Sequence, residues 1–150
     1  MVLVCPTLAY AADLFIEVPE HRLANMQGDQ QALMDKLWQK RTTKSLRVIR
    51  IDLALLQQDA VDLNLRADRA VRVETQRIER RNVTDYTWYG RLTAVPGSAI
   101  LVVQGENVTG TIRNGEELYR ITSLGAGLHT LIEVDESQPH QYALVPDGHA

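Results

Sequence analysis

Two rhythms of hydrophobic and polar positions run along this chain. The first is helical and brief. Leu33, Met34, Leu37 and Trp38 recur at the spacing of one helical face, which predicts an amphipathic helix over about 29–41 with its apolar stripe turned to the core. Gly28-Asp29 opens it with Asp29 as N-cap, and Lys36, Lys40 and Arg41 fall in its C-terminal half, where cations meet the helix dipole favourably. Ahead of it, residues 13–18 read as a strand stopped by Pro19.

The second rhythm is strand-like and sustained. Leu46, Val48, Ile49 and Ile51 form a run rich in β-branched residues. Leu53 to Leu56 sits between two such runs and reads as a short helical turn. Val61, Leu63 and Leu65 alternate with Asp62 and Asn64, so one face of that strand is buried and the other wet. Val71, Val73 and Thr75 share a face, and Ile78 then falls on the wrong parity. A β-bulge near Gln76-Arg77, or a break into two strands, returns Ile78 to the core side.

Seven of the nine glycines lie between Gly90 and Gly127. Pro96-Gly97, Gln104-Gly105-Glu106-Asn107 and Asn114-Gly115 are turn signals, the last the strongest because both residues tolerate positive φ. They divide the region into strands over 86–93, 98–104, 108–113, 117–123 and 128–135. The fold class that follows is mainly β (α+β): an antiparallel meander forming a sandwich or roll, with one N-terminal amphipathic helix. After Ser137 the periodicity stops, and Pro139, Pro146 and Gly148 mark 138–150 as a tail or linker.

A length of 150 residues suits one domain, expected over 12–137, and such a domain needs no disulfide or metal to fold. The net charge of −3 argues against nucleic acid as partner. Charge is unevenly placed: Arg66, Arg69, Arg72, Arg77, Arg80 and Arg81 crowd one segment, and acidic residues alone follow Arg120. These read as solvated faces or as patches that steer a protein partner. Cys5 is the single cysteine, so no internal disulfide forms. Residues 1–11 are apolar and end in Ala9-Tyr10-Ala11, the small-x-small pattern of signal peptidase cleavage. They are expected to be the end of a signal peptide, the alternative being a first strand, and the protein is expected to be secreted or periplasmic. No segment is long and apolar enough to span a bilayer as a helix.

Catalytic motifs are missing. His21, His129, His140 and His149 show no H-E-x-x-H spacing, Ser98 and Ser123 lack the glycines of a nucleophile elbow, and Gly125-Ala-Gly127 lacks the third glycine of a dinucleotide loop. No catalytic residue and no cofactor is assigned, and the expectation is that the protein is not an enzyme. Tyr86, Trp88 and Leu92 fall on one strand face and are assigned to the core. His129 and Glu133 share a face and are expected to be exposed, with Glu116-Glu117 solvated beside a turn. Asn82-Val-Thr84 and Asn107-Val-Thr109 match the glycosylation sequon.

Several pieces in order resemble the prodomain of secreted reprolysin (adamalysin)-like zinc metallopeptidases of bacterial type. They are Arg50-Ile-Asp-Leu-Ala-Leu-Leu56, Val61-Asp-Leu-Asn-Leu65, Tyr86-Thr-Trp-Tyr-Gly-Arg-Leu92, Pro96-Gly-Ser-Ala99, Val108-Thr-Gly-Thr-Ile112, Leu118-Tyr-Arg-Ile121 and Gly127-Leu-His-Thr-Leu-Ile-Glu-Val-Asp135. The resemblance spans about 45–137. It implies a non-catalytic prodomain or inhibitor-like domain that assists folding and maintains latency, with a zinc metallopeptidase catalytic domain as partner, in cis or in trans. A prodomain thiolate can block the zinc in animal members, but no cysteine follows Cys5 here, so latency would come from steric cover or another ligand. His140, Asp147 and His149 in the tail are the candidates toward a partner's zinc, since imidazole and carboxylate suit that ion. The second reading is a secreted β-rich binding module for carbohydrate or cell-surface protein. It predicts Trp88 or Tyr89 exposed as a platform.

Overall fold

The computed structural model describes residues 13–66 and 68–138. Its strands are β1 (Phe15–Glu17), β2 (Thr43–Ile51), β3 (Ala60–Arg66), β4 (Arg69–Arg80), β5 (Asp85–Leu92), β6 (Gly97–Gln104), β7 (Asn107–Asn114), β8 (Glu117–Gly125) and β9 (Leu128–Val134). The helices are α1 (Glu20–Leu23) and α2 (Gly28–Trp38), with a 3-10 turn at Leu53–Gln57. The nine strands form one sheet in the order β1-β2-β9-β8-β7-β6-β5-β4-β3. From β3 to β9 every strand pairs antiparallel with its neighbour in sequence, as the turn signals predict. Two turns share a device: Gly105-Glu106 and Gly115-Glu116 each place a glycine at φ near +60° first in a two-residue loop. Asn114, expected inside its turn, is the last residue of β7.

The sheet curls until its two ends meet, making a nearly closed roll. Asp13 and Asp62 form a parallel bridge, and Leu14 N–H donates to the Asp62 carbonyl at 2.9 Å. The Asn64 amide then acts as a substitute strand, accepting from Phe15 N–H at 3.0 Å and donating to the Phe15 carbonyl at 2.7 Å. Further along the seam the Arg47 guanidinium donates to the carbonyls of Asn64 and Leu65, both at 2.8 Å, while Glu17 holds its other side. An arginine thus satisfies edge groups that no strand reaches.

Two hydrophobic clusters flank the sheet. Inside the roll lie Trp88, Tyr119, Phe15, Leu101, Ile112, Ile121 and Leu131, all essentially inaccessible. Outside, α2 lays Leu37, with Leu33 and Met34, over Val48, Leu124, Leu128, Ile132 and Val134. Strand β9 is therefore covered on both faces, which is why all seven of its residues are buried. The predicted bulge lies in β4: Thr75 opposes Gly90 and Arg77 opposes Tyr89, so Gln76 is the extra residue and Ile78 returns opposite Trp88.

The helix differs from expectation in three respects. It ends at Trp38 rather than near 41, and Thr43 Oγ1 caps the Leu37 carbonyl at 2.7 Å. Its N-cap is Gln27, not Asp29. Gln27 and Gln30 form a reciprocal capping box, and Gln30 Nε2 also donates to the Gly125 carbonyl at 3.0 Å. Trp38 is 48% exposed, because one residue beyond Leu37 the helix surface has already turned out of the covered stripe.

Candidate functional site

The tail candidates His140, Asp147 and His149 lie outside the described residues, as do residues 1–11 with Cys5. Among the described residues no three His, Cys, Asp or Glu side chains gather as metal ligands, so the zinc implied by the resemblance finds no matching donor set there.

His129 and Glu133 are not exposed. They sit at 1% and 5% accessibility, because the parity that places Leu131 inside the roll places both of them inside as well. His129 works structurally. Strands β7 and β8 pair only from Gly110 onward, and His129 fills the gap by accepting Val108 N–H on Nε2 at 3.0 Å. Its Nδ1–H faces the Gly127 carbonyl at 3.2 Å. Burial lowers its pKa to about 4, with the Arg50 charge adding and the Gly127 hydrogen bond opposing.

Glu133 belongs to a network at the rim formed by the 93–96 and 115–116 turns. It pairs with Lys44 at 3.4 Å and Arg66 at 3.8 Å. Glu117, expected in solvent, is instead half-buried between Arg69 at 2.5 Å and Arg66 at 3.2 Å, and accepts from Asn114 Nδ2 at 3.1 Å. Burial and the two carboxylates push the Tyr119 phenol up to about 12, so it stays protonated and donates toward Glu117 at 3.4 Å. The crowded arginines accordingly make no single patch. Arg72 pairs with Asp62 and Arg77 with Glu79.

The opposite rim is open. A cavity of about 610 Å³ lies between the 3-10 turn, the 81–84 loop and the Gly105-Glu106 turn. Its walls are Leu53, Ala54, Val83, Val103 and the Tyr86 ring. Arg80 crosses one side, with its guanidinium 5.0 Å from the Tyr86 ring centre and Nη2 hydrogen-bonded to Gln57 Oε1. Gln57 Nε2 reaches the Tyr86 hydroxyl at 3.4 Å. Tyr86 itself is held above its ordinary pKa by burial, which Arg80 partly offsets.

The 81–84 loop is pinned by Asn82, whose Oδ1 accepts from Thr84 N–H and Asp85 N–H at 2.9 Å each. Val83 is held in solvent at 87% exposure. Sequence reasoning missed this rim. Its signal was Asn82-Val-Thr84, read as a sequon, which here folds as an Asx turn. Of the two rings offered as an aromatic platform, Trp88 is 0% exposed. Tyr89 is half-buried under Arg77, 4.2 Å from the ring centre, with its hydroxyl on Glu79 at 3.0 Å.

Fold and site together define a small β-roll with a packed interior, one rim of paired charges and one apolar, open rim. No family model matches the chain. It is similar to the peptidyl-Asp metalloendopeptidase of Xanthomonas campestris pv. campestris, 33% identical over 70% of this chain and 30% of that protein. It is also similar to the peptidyl-Asp metalloendopeptidases of two Stenotrophomonas maltophilia strains, K279a and R551-3, at 30% and 32% identity over 87% of this chain and 34% of each. The chain spans about a third of the length of these relatives and is related to bacterial metallopeptidases. A chain from a chaperone–substrate complex shares the fold, with a TM-score of 0.52 and 15% identity over 67% of this chain and 85% of that one. The expectation that the protein is not an enzyme is corrected here. Its relatives are named as endopeptidases, and motif searching within a stretch matching a third of such a protein does not decide the point.

Proposed function

We propose that this chain is the pro-segment of an exported metalloendopeptidase precursor, and that it assists the folding of the peptidase and keeps it latent. The observation that carries the reading is the span of the match. A self-supporting β-roll, with its own interior and outer clusters, corresponds to about a third of each relative. A domain that folds on its own can template and cover a neighbouring one, and its binding free energy adds to the stability of what it binds. In this reading peptide hydrolysis is the work of the whole precursor, and the roll governs when it begins. No cysteine follows Cys5, so cover of the cleft, not a thiolate on zinc, is the mode of latency proposed.

The test is refolding in trans. The part of the Xanthomonas relative outside the match is denatured and diluted with and without the purified roll. The expected result is a higher yield of folded peptidase whose activity stays suppressed until the roll is removed. Equal yields and equal activity in both arms would sink the reading.

A further inference from the structure

The open rim carries an inference that rests on the pro-segment reading and deepens it. Val83 is the most exposed large hydrophobic residue among those described, and nothing about its loop is loose. Asn82 ties it through two backbone hydrogen bonds and a third to the Thr84 hydroxyl at 3.1 Å. An aliphatic side chain held rigidly in water stands beside an apolar cavity of about 610 Å³. Arg80 stands at the same cavity with its plane fixed by Gln57 and Tyr86. No carboxylate pairs with it among the described residues, whereas Arg77 on the same strand has Glu79.

We infer that this rim is the face on which the roll docks its peptidase, and that it takes an extended segment carrying an apolar side chain next to a carboxylate. The apolar side chain enters the cavity between Leu53, Val103 and Tyr86, the carboxylate meets Arg80, and the partner's surface covers Val83. Charge complementarity selects an acidic segment, because a pre-oriented guanidinium with free donors is matched by a carboxylate. Glu106 on the facing lip offers an acceptor to the segment's backbone N–H groups. The position of Val83 argues for a macromolecule over a small amphiphile. A ligand confined to the cavity leaves the lip wet, whereas a protein surface buries knob and hole together.

The experiment measures binding of the roll to the part of the Xanthomonas relative outside the match, refolded with the roll, freed of it and shown to be active, by titration calorimetry. Wild type is compared with Val83→Asp, Val83→Ser and Arg80→Gln. Val83→Asp is expected to weaken binding by about ten-fold or more and Arg80→Gln by about three- to ten-fold, with melting temperatures unchanged for the Val83 variants. Val83→Ser keeps the test valid if the aspartate disturbs the loop. Wild-type binding that all three variants retain within about two-fold overturns this inference and leaves the pro-segment reading standing. Absence of wild-type binding overturns both. Sedimentation of the roll alone checks a second copy as occupant: a dimer that Val83→Asp abolishes overturns the assignment to the peptidase. Displacement of the bound protein by sodium laurate, with Val83→Asp still binding, assigns the cavity to a small amphiphile and also overturns it.

Discussion

The effect of acid on one buried imidazole of this fold, that of His129, can be worked out. Folded His129 is neutral because burial lowers its pKa from 6.5 to about 4, and because Nε2 must stay unprotonated to accept Val108 N–H. Above about pH 6.5 neither the folded nor the unfolded chain protonates this residue, so it leaves stability unchanged. Between 6.5 and about 4 the unfolded chain takes up a proton that the folded chain refuses, so stability falls as pH falls. Below about 4 both states are charged and the loss levels off. The gap, at about 1.4 kcal/mol per pH unit, sets the loss at about 3 kcal/mol, a large part of a typical domain stability of about 5–15 kcal/mol.

The assay is urea unfolding followed by fluorescence of buried Trp88, at a series of pH values from about 7.5 to about 4. His129→Gln is the reference, since an amide oxygen can take the Val108 N–H without titrating. Carboxylates titrate in both proteins and cancel in the difference. Wild type is expected to be the more stable at neutral pH and to lose its lead, by about 3 kcal/mol, across the window. Parallel stability curves for wild type and His129→Gln would refute the structural role given to the imidazole.

Other outcomes follow from the same packing. Gly90→Ala puts a methyl 2.4 Å from both the Trp88 ring and Val73 Cγ1, and should destabilise by about 1–3 kcal/mol; an unchanged melting temperature would show that the ring moves freely. Arg47→Ala frees the Asn64 and Leu65 carbonyls at the seam and should cost about 1–3 kcal/mol, with faster amide exchange in β1 and β3 than elsewhere; uniform exchange would contradict that. Glu117→Ala leaves Asn114 and the Arg69 guanidinium without their acceptor, while Arg66 keeps Glu133, and should cost about 1–3 kcal/mol in chemical denaturation, a loss that Glu117→Gln recovers in part; equal stability of both variants with wild type would count against the network.

The fold was legible wherever one residue type decided one geometry. Alternation marked β3, and turn glycines marked the hairpins from β6 to β8. The parity slip at Ile78 called for a bulge near Gln76-Arg77 or a break into two strands, and the bulge is there, with Gln76 as the extra residue. The legibility failed where burial depends on what covers a second face. β9 has the alternation of a half-wet strand only if α2 is elsewhere, so His129 and Glu133 were assigned to solvent when the roll needs them inside. The N-cap failed for a related reason. Gln27 is a poor cap by type and works because Gln30 answers it and also binds β8. The Arg50 to Leu56 and Trp88-Tyr-Gly90 pieces of the resemblance now have physical causes. Leu56 is the residue that the 3-10 turn buries in the core, and Trp88 folds its ring over the glycine two residues on, leaving no room for a side chain there.

The two rims differ in what contact with another molecule would cost. The interior is filled by Trp88, Tyr119 and their neighbours, so nothing can enter the roll without unfolding it. Action on another molecule must therefore use the outer wall or a rim. At the rim of Glu117 and Glu133 the charges answer one another: Arg66, Arg69 and Lys44 all have carboxylates, and a partner would have to break those pairs to gain new ones. At the rim of Val83 and Arg80 no such exchange is needed. An ordered valine is already exposed, and a guanidinium already oriented has no carboxylate among the described residues. Contact there gains apolar burial and a charge-assisted hydrogen bond at little cost in ordering, since Asn82 has fixed the loop beforehand.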